Sequence, residues 1–587
     1  MNLQVGHFSK KIEQLFTQAN QSHVQGHLDS ARTGYLEVIK AQPRHYDALH
    51  LLGVLCCQLK DFSAAVPYIS GAIKINPNPV FYYSLGVAHQ ELGQLEEAEQ
   101  CYLQALKKRP KYVEALYNMG NLKRSQKNNR EAVDYFDQAL LLKTDHADAY
   151  YNRGNALKEL GDFGLAVQSF DSAIALNHTY AQAYLNKGLA FKEMGQFEDA
   201  LSCYANAIRV NPGYCDAYSN MGILQTELHR WPEAIRSFQD ALQFNPEHAQ
   251  TLWNKSLLLL THGDFKAGFA LYAARWREEV LISPILNTKK PWALKSSSSN
   301  FDLAEGRVCD RLLIWSEQGI GDVVMFGALL DKASSLANQL LVQIDSRLIP
   351  VFKRSFPEIE FFTKEDGVCD DKFDEHMPIG QLAQLYCQSM DSFKSIRPGY
   401  LRSDPARKAL LKAKLPLNGK PSVGISWRSM NDKKGRDRSM SVTDLVGSLC
   451  FDGQDGFDLS RFNFIDLQYA STPTELKAVE QTTGIEILKF ADIDNHGDID
   501  GLIALMDACD LIISIDNSTV HLSGALGKPT FVLLPFSADW RWGLSSSSSY
   551  WYPSVRLYRQ PQAGAWAQPL FELQTDLLSA ILKPNPV

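Results

Sequence analysis

Along the first half of the chain, small residues return at an almost fixed interval. Glycines at 53, 86, 120, 154, 188 and 222 are separated by 33, 34, 34, 34 and 34 residues. An alanine follows each by twelve residues (Ala65, Ala98, Ala132, Ala166, Ala200, Ala234), and most units then carry an aromatic four residues later (Tyr102, Phe136, Phe170, Tyr204, Phe238). Another alanine comes three residues on, and a proline closes several units (Pro43, Pro77, Pro110, Pro212, Pro246). Positions three and four apart share one face of a helix, so the pattern predicts paired helices whose small residues let the backbones touch. About eight such units fit between residues 10 and 276, the outer two being the least regular, as expected of repeats that cap a stack.

A small–aromatic–small–proline pattern at this period is the tetratricopeptide signature, which predicts an α-solenoid with a concave inner face. Two residues before the glycine column runs a second ladder: Asn118, Asn152, Asn186, Asn220 and Asn254. Each amide offers a donor and an acceptor, so a row of them suits clamping an extended peptide acceptor without regard to its sequence. The competing reading is that the amides tie neighbouring helices together.

After Trp276 the pattern changes. Prolines, a Lys-Lys-Pro-Trp stretch and the run Ser296–Asn300 make 277–308 a linker. Beyond it, short apolar runs alternate with helical segments: Leu312–Trp315, Leu340–Ile344, Ile359–Phe362, Ser422–Trp427, Phe462–Gln468, Ile485–Leu488, Leu511–Ile515 and Thr530–Leu534. Strands alternating with helices predict parallel sheets. A Lys-, Pro- and Gly-containing break at Asp404–Pro421 divides this half into an α/β lobe at 309–405 and another at 420–587.

In such sheets ligands sit beyond the carboxyl ends of the strands, and three loops there carry unusual residues. Ser316–Met325 holds Gly319 and Gly321, which permit a tight turn close to a ligand, and Asp322, either a reactive carboxylate or a helix cap. The segment from Trp427 and Arg428 to Arg438 packs five cations, Lys433 and Lys434 among them, into eleven residues, suited to a diphosphate or to a solvated loop. The third loop, Asp516-Asn517-Ser518-Thr519, ends an apolar strand and opens a small-residue helix containing His521, whose N-terminal N–H groups suit an anion; plain capping is the rival explanation.

Composition narrows the field. A net charge of −7 argues against nucleic-acid binding through excess cations. Ten cysteines without a CxxC pair fit a reducing compartment, and neither a secretory leader nor a membrane span is visible, so a cytoplasmic location is expected. Asp492–Asp500 imitates a metal site, but the twelfth position of a calcium loop is Ile503 where Glu is needed, so no metal is expected. Trp540, Arg541 and Trp542 read as packing more readily than as a wall for a base.

Taken together, EQGIGD, VGISWRS with its basic loop, FIDLQY, LIISIDNSTVHLSGALGKP and LLPFSADWRWG with the downstream WYPSVRLYRQ resemble a bacterial family of repeat-containing glycosyltransferases. The catalytic half is similar to heptosyltransferases, and the overall plan is similar to protein O-linked N-acetylglucosamine transferases. The resemblance implies a GT-B fold, a double Rossmann-like pair of lobes, with Asp322 as general base. It places Gly319, Gly321, Trp427, Arg428, Lys433, Lys434, Arg438, Gln468, Asp516, Asn517, Ser518, Thr519 and His521 on the nucleotide-sugar side. Asn517, where many relatives carry a small residue, and the run Ser545–Ser549 depart from the family pattern. The activity implied is metal-independent, cofactor-free, inverting transfer of a sugar to a hydroxyl of a protein or glycan held by the repeats. The alternative is a repeat scaffold with a degenerate transferase half; a lipopolysaccharide-type small acceptor is disfavoured because it needs no peptide-sized groove.

Overall fold

The computed structural model describes residues 2–276, 309–363, 365–366, 372–429, 438–449 and 459–582; the predicted linker, Lys433 and Lys434 lie outside them. The repeats form sixteen helices in eight antiparallel hairpins, from Asn2–Val24 to Phe265–Tyr272. The 34-residue period has a direct steric origin. A Cβ built on Gly120 would lie 2.6 Å from Phe136, on Gly154 2.7 Å from Phe170, and on Gly188 2.6 Å from Tyr204. Each aromatic is fully buried, so the glycine is the hollow that its partner helix fills.

The chain packs as two units, Met1–Leu224 and Gln225–Val587, and the division falls inside the helix Cys215–Glu227. The packing boundary is therefore not the end of the repeats: the last hairpins belong with the α/β half.

That half contains two all-parallel sheets. The first is built from β1 (Cys309–Trp315), β2 (Ala337–Gln343), β3 (Glu360–Phe362) and β4 (Glu375–Pro378) in the order β3-β2-β1-β4. The second comprises β5 (Ser422–Ile425), β6 (Asn463–Asp466), β7 (Ile487–Leu488), β8 (Leu511–Ile515), β9 (Thr530–Leu534) and β10 (Val555–Arg559), in the order β10-β9-β8-β5-β6-β7. Counted from β5, this is the 3-2-1-4-5-6 order of a doubly wound nucleotide-binding sheet, read from the other edge. Eight strands match the predicted runs. The two others escaped for separate reasons: β4 is Glu-His-Met-Pro, with no β-branched residue, and the apolar run of β10 is broken by arginines at its second and fifth positions, Arg556 and Arg559.

Alternation along the strands sorts the core. Ile512, Val532 and Leu534 join Leu312, Ile314 and Val324 in one large apolar cluster, while Leu511, Ile513, Phe531 and Leu533 pack on the far face with Val423, Leu445 and Leu573. Leu260, Phe265, Phe269 and Tyr272 of the last hairpin sit in the first of these clusters, with Phe265 4.8 Å from Phe393 and Phe269 5.8 Å from Trp540 between ring centres.

A buried ion pair seals this junction. Arg275 directs two guanidinium nitrogens at Glu317, at 2.6 and 3.0 Å, and lies 3.8 Å over the Tyr272 ring; neither side chain is more than 5 % exposed. Gly380 N–H completes the carboxylate's shell at 3.2 Å. Burial nevertheless pushes the Glu317 carboxyl up, with Arg275 opposing it. Removing Arg275 leaves that charge stranded, and Arg275→Met is expected to cost about 3–5 kcal/mol in urea unfolding followed through tryptophan fluorescence. Glu317 then binds its proton more tightly folded than unfolded, so the variant regains stability as pH falls from 7 towards the ordinary carboxylate range of about 4.3. A loss below 1 kcal/mol, or one independent of pH, would show that the pair does not hold the junction.

Candidate functional site

In an open parallel sheet the crevice opens where strand order reverses. In the second sheet this point lies between β5 and β8, and both predicted loops issue from it: Ser426-Trp427-Arg428 and Asp516-Asn517-Ser518-Thr519. In the first sheet it lies between β1 and β4, where Ser316–Asp322 begins. The helices after β1 (Ile320–Gly327) and after β8 (Ser518–Ala525) pack against each other, so the two crevices share one region. Gly321 permits the approach: a Cβ there would lie 2.9 Å from His521 Cδ2.

Several polar residues at this point are spent on holding the loops. Asn517 caps its helix, its Oδ1 accepting from Thr519 N–H at 3.0 Å, while Nδ2 donates to Ser426 Oγ at 2.8 Å and the Arg428 carbonyl at 3.3 Å. Gln468 Oε1 accepts from Ser426 Oγ, Trp427 N–H and Arg428 N–H at 3.1, 2.9 and 3.0 Å. Trp427 itself is fully buried on the far face, its indole donating to Glu475 at 2.9 Å, and therefore packs the core where a donor contact was expected. Arg428 pairs with the same Glu475 at 3.0 Å. His521 is enclosed, stacked 5.4 Å from Trp542 and bonded to the Tyr552 hydroxyl at 3.1 Å. Burial, aided by Arg541, holds its pKa down to about 3, so it meets any ligand as a neutral ring. Ser518 stays partly exposed at the crevice, and Gly319, the cap of the other helix, is exposed.

Asp322 is not a cap. It occupies the first turn behind Gly319, and its carboxylate takes the guanidinium of Arg541, a residue expected from the sequence to pack, or to wall a base, and not to pair with Asp322. Arg541 also binds Asp539 at 2.5 Å. Arg438, at the described edge of the basic segment, reaches Asp516 at 2.9 Å and Asp539 at 3.6 Å, and Trp542 Nε1–H donates to Asp516 at 2.9 Å. Burial pushes the Asp516 carboxyl up, against the pull of Arg438. For Arg541 burial works against the charge, but Asp322 and Asp539 more than offset it and keep the guanidinium protonated. No motif signals this pairing, because its partners stand 219 residues apart.

The acidic segment has structural employment. Asp492 pairs with Lys414 at 2.5 Å, Asp494 accepts from His496 N–H at 3.0 Å, Asp498 caps its helix and pairs with Arg407, and Asp500 pairs with Arg354 at 2.9 Å.

In the repeats, the asparagines join successive first helices. Nδ2 of Asn118, Asn152 and Asn186 donates to the hydroxyls of Tyr83, Tyr117 and Tyr151 at 3.2, 2.9 and 2.9 Å. Asn152 and Asn186 also reach Asn121 and Asn155, at 3.1 and 2.9 Å. Asn220 turns to its own helix, bonding the Asp216 carbonyl at 2.8 Å, because the position 35 residues earlier is Leu185 and has no hydroxyl. Asn254 accepts from Gln250 at 3.3 Å.

Comparison with known proteins settles the first half. Tetratricopeptide-repeat models match 24–78, 79–112, 113–146, 154–195, 181–214 and 219–278. The N-terminal half is a tetratricopeptide-repeat array. Protein FlbA of Caulobacter vibrioides is 29% identical over 341 residues, 55% of this chain and 54% of FlbA, so the chain spans about half the length of that relative. Tetratricopeptide repeat protein 6 of Homo sapiens is 32% identical over 98 residues, 17% of this chain and 19% of the human protein. Among solved structures, MamA is 29% identical with a TM-score of 0.27, covering 28% of this chain and 97% of its own. YrrB, described as a TPR protein with an unusual peptide-binding site, is 26% identical with a TM-score of 0.29, covering 32% and 98%.

The tyrosine acceptors make the ladder's structural share measurable. Tyr117→Phe is expected to lower the stability of the repeats by about 0.5–1.5 kcal/mol, read from the urea midpoint by circular dichroism. No change would mean that the Asn152–Tyr117 bond contributes nothing to stacking.

Proposed function

We propose that the chain is a metal-independent, inverting glycosyltransferase of GT-B type that moves a sugar from a nucleotide-sugar donor to a hydroxyl of a protein or glycan acceptor presented by the repeats. The observation that supports it most is the meeting of two strand-reversal points, with Asp322 from one sheet in direct contact with Arg541 from the other. A transfer of this kind needs a carboxylate near the attacking hydroxyl and positive charge near the departing diphosphate, and this region supplies both.

In this mechanism Asp322 takes the proton of the acceptor hydroxyl as its oxygen attacks the anomeric carbon. The bond to the nucleoside diphosphate breaks on the opposite side, which inverts the centre. Arg438, Arg541 and the N-terminal N–H groups of the helix at Ser518 receive the charge that develops on the leaving group. Asn517 and Gln468 hold the two loops at their distance from one another, so their contribution is positioning. The repeats supply acceptor binding. Although the ladder's donors are committed to tyrosines, Oδ1 of Asn118, Asn152 and Asn186 carries no hydrogen bond among the described residues and suits a peptide N–H.

Thermal shift and donor hydrolysis, run with UDP, GDP, ADP and CMP sugars, test the reading. One nucleotide class is expected to stabilise the second unit, by about 2.7 kcal/mol at 100 times its dissociation constant. Asp322→Asn should keep that stabilisation and lose at least about 100-fold in sugar release. If no nucleotide stabilises the protein, the transferase reading falls.

A further inference from the structure

Five charged side chains alternate in sign across the candidate site. Asp516, which follows β8, meets Arg438 at 2.9 Å; Arg438 meets Asp539 at 3.6 Å; Asp539 meets Arg541 at 2.5 Å; and Arg541 meets Asp322. All are largely enclosed, between 4 and 19 % exposed, so none of these pairs is a loose surface contact. Arg541 occupies the decisive place, since it is the member that touches Asp322, and Asp322 is the end of the chain that faces the first sheet. Among the described residues Arg541 is the cation paired with Asp322, and its neighbours are fixed by other contacts: Trp540 packs on Tyr272, and Trp542 is pinned between Asp516 and His521.

A guanidinium bound to a carboxylate withdraws the lone pair that a base must offer. It is also the group best shaped to grip a phosphate through two parallel N–H bonds. We propose that Arg541 is an exchange latch: in the empty site it occupies Asp322, and an incoming diphosphate draws it away, so that the carboxylate becomes free to accept a proton only after the anion is seated. Asp539 stays with Arg541 through the exchange and limits its swing. The consequence is an enforced order, donor before acceptor, with the base held inactive in the absence of donor. The latch deepens the transferase reading and rests on it for the identity of the anion.

Because Asp322 and the anion compete for one guanidinium, the latch makes a prediction of sign that turnover does not enter. Inorganic pyrophosphate is the probe, titrated by calorimetry into the full-length protein at fixed salt. Arg541→Gln should weaken binding at least about tenfold, in line with the loss of charge-assisted bonds. Asp322→Asn should tighten it several-fold. In the double variant that gain should vanish, since Asp322 acts through Arg541. A gain that persists undiminished without Arg541 overturns the latch, because it then reflects only the general removal of negative charge. So does unchanged affinity in either single variant, or no pyrophosphate binding by wild type and Asp322→Asn alike. If near-ultraviolet circular dichroism shows Arg541→Gln unfolded, Arg541→Lys replaces it, keeping the charge but not the two-pronged grip; a weakening of at least about threefold supports the latch and wild-type affinity overturns it. A cycle of the expected form without sugar release by any nucleotide sugar leaves the latch and removes the transferase; sugar release with an additive cycle does the reverse.

Discussion

A carboxylate taken out of water must be met by a cation, and the second unit is organised by that requirement. Glu317 leaves β1 into an almost closed space and is met by Arg275, which belongs to the repeats. Asp516 leaves β8 into another and is met by Arg438 and the Trp542 indole. Each pairing joins segments remote in sequence, so folding any one of them correctly requires the others to be in place. The desolvation of a buried charge exceeds what a neutral contact returns, and such pairs therefore discriminate against misassembled arrangements more than they add stability. This explains why the packing boundary falls inside the helix Cys215–Glu227: the last hairpins carry Arg275 and the Phe265, Phe269 and Tyr272 rings that the α/β core requires.

The repeats obey a different constraint, one of volume. Their period survives because the hollow at a glycine is matched to one large side chain, Ile69 at Gly53, Phe136 at Gly120 or Tyr204 at Gly188, and neither partner can change size alone. Superimposed on that is a polar ladder in which the asparagine amide has two distinct ends. The nitrogen of Asn118, Asn152 and Asn186 is committed to a tyrosine of the preceding repeat, and their oxygens accept no hydrogen bond among the described residues. Stacking and recognition are thus not rival explanations of these asparagines, because one bond orients the amide that the other would use.

Legibility followed the range of the interactions. The repeats were plain in the sequence because Gly120, Ala132 and Phe136 act on each other within one hairpin, and periodicity reports local contacts. Most strands were plain because runs such as LIISI are short, apolar but for one serine and rich in β-branched residues, as a strand buried on both faces of a parallel sheet requires. The Tyr83, Tyr117 and Tyr151 acceptors were also present, at a constant offset of 35 residues, and could have been found by asking what each asparagine donates to. What the sequence withheld was every pairing between distant segments: Arg275 with Glu317, Arg541 with Asp322, and the burial of Trp427 behind its own strand. A motif names the residue types at a strand end, but not which of them face the crevice and which are consumed in building it.

That distinction changes how the polar stretch after β8 is understood. Of its members, Asn517 and Thr519 serve the junction with Ser426, Asp516 anchors Arg438, and Ser518 alone remains partly exposed. Asn517 is therefore the means of fixing the switch point: a smaller side chain could not cap the helix and reach Ser426 and Arg428 together. With the loops held by Asn517 and Gln468, the cations that the described residues place between Asp516, Asp539 and Asp322 are Arg438 and Arg541. In the proposed latch an incoming anion would exchange partners with Arg541 alone, so that binding would alter the state of Asp322 without rearranging the sheets.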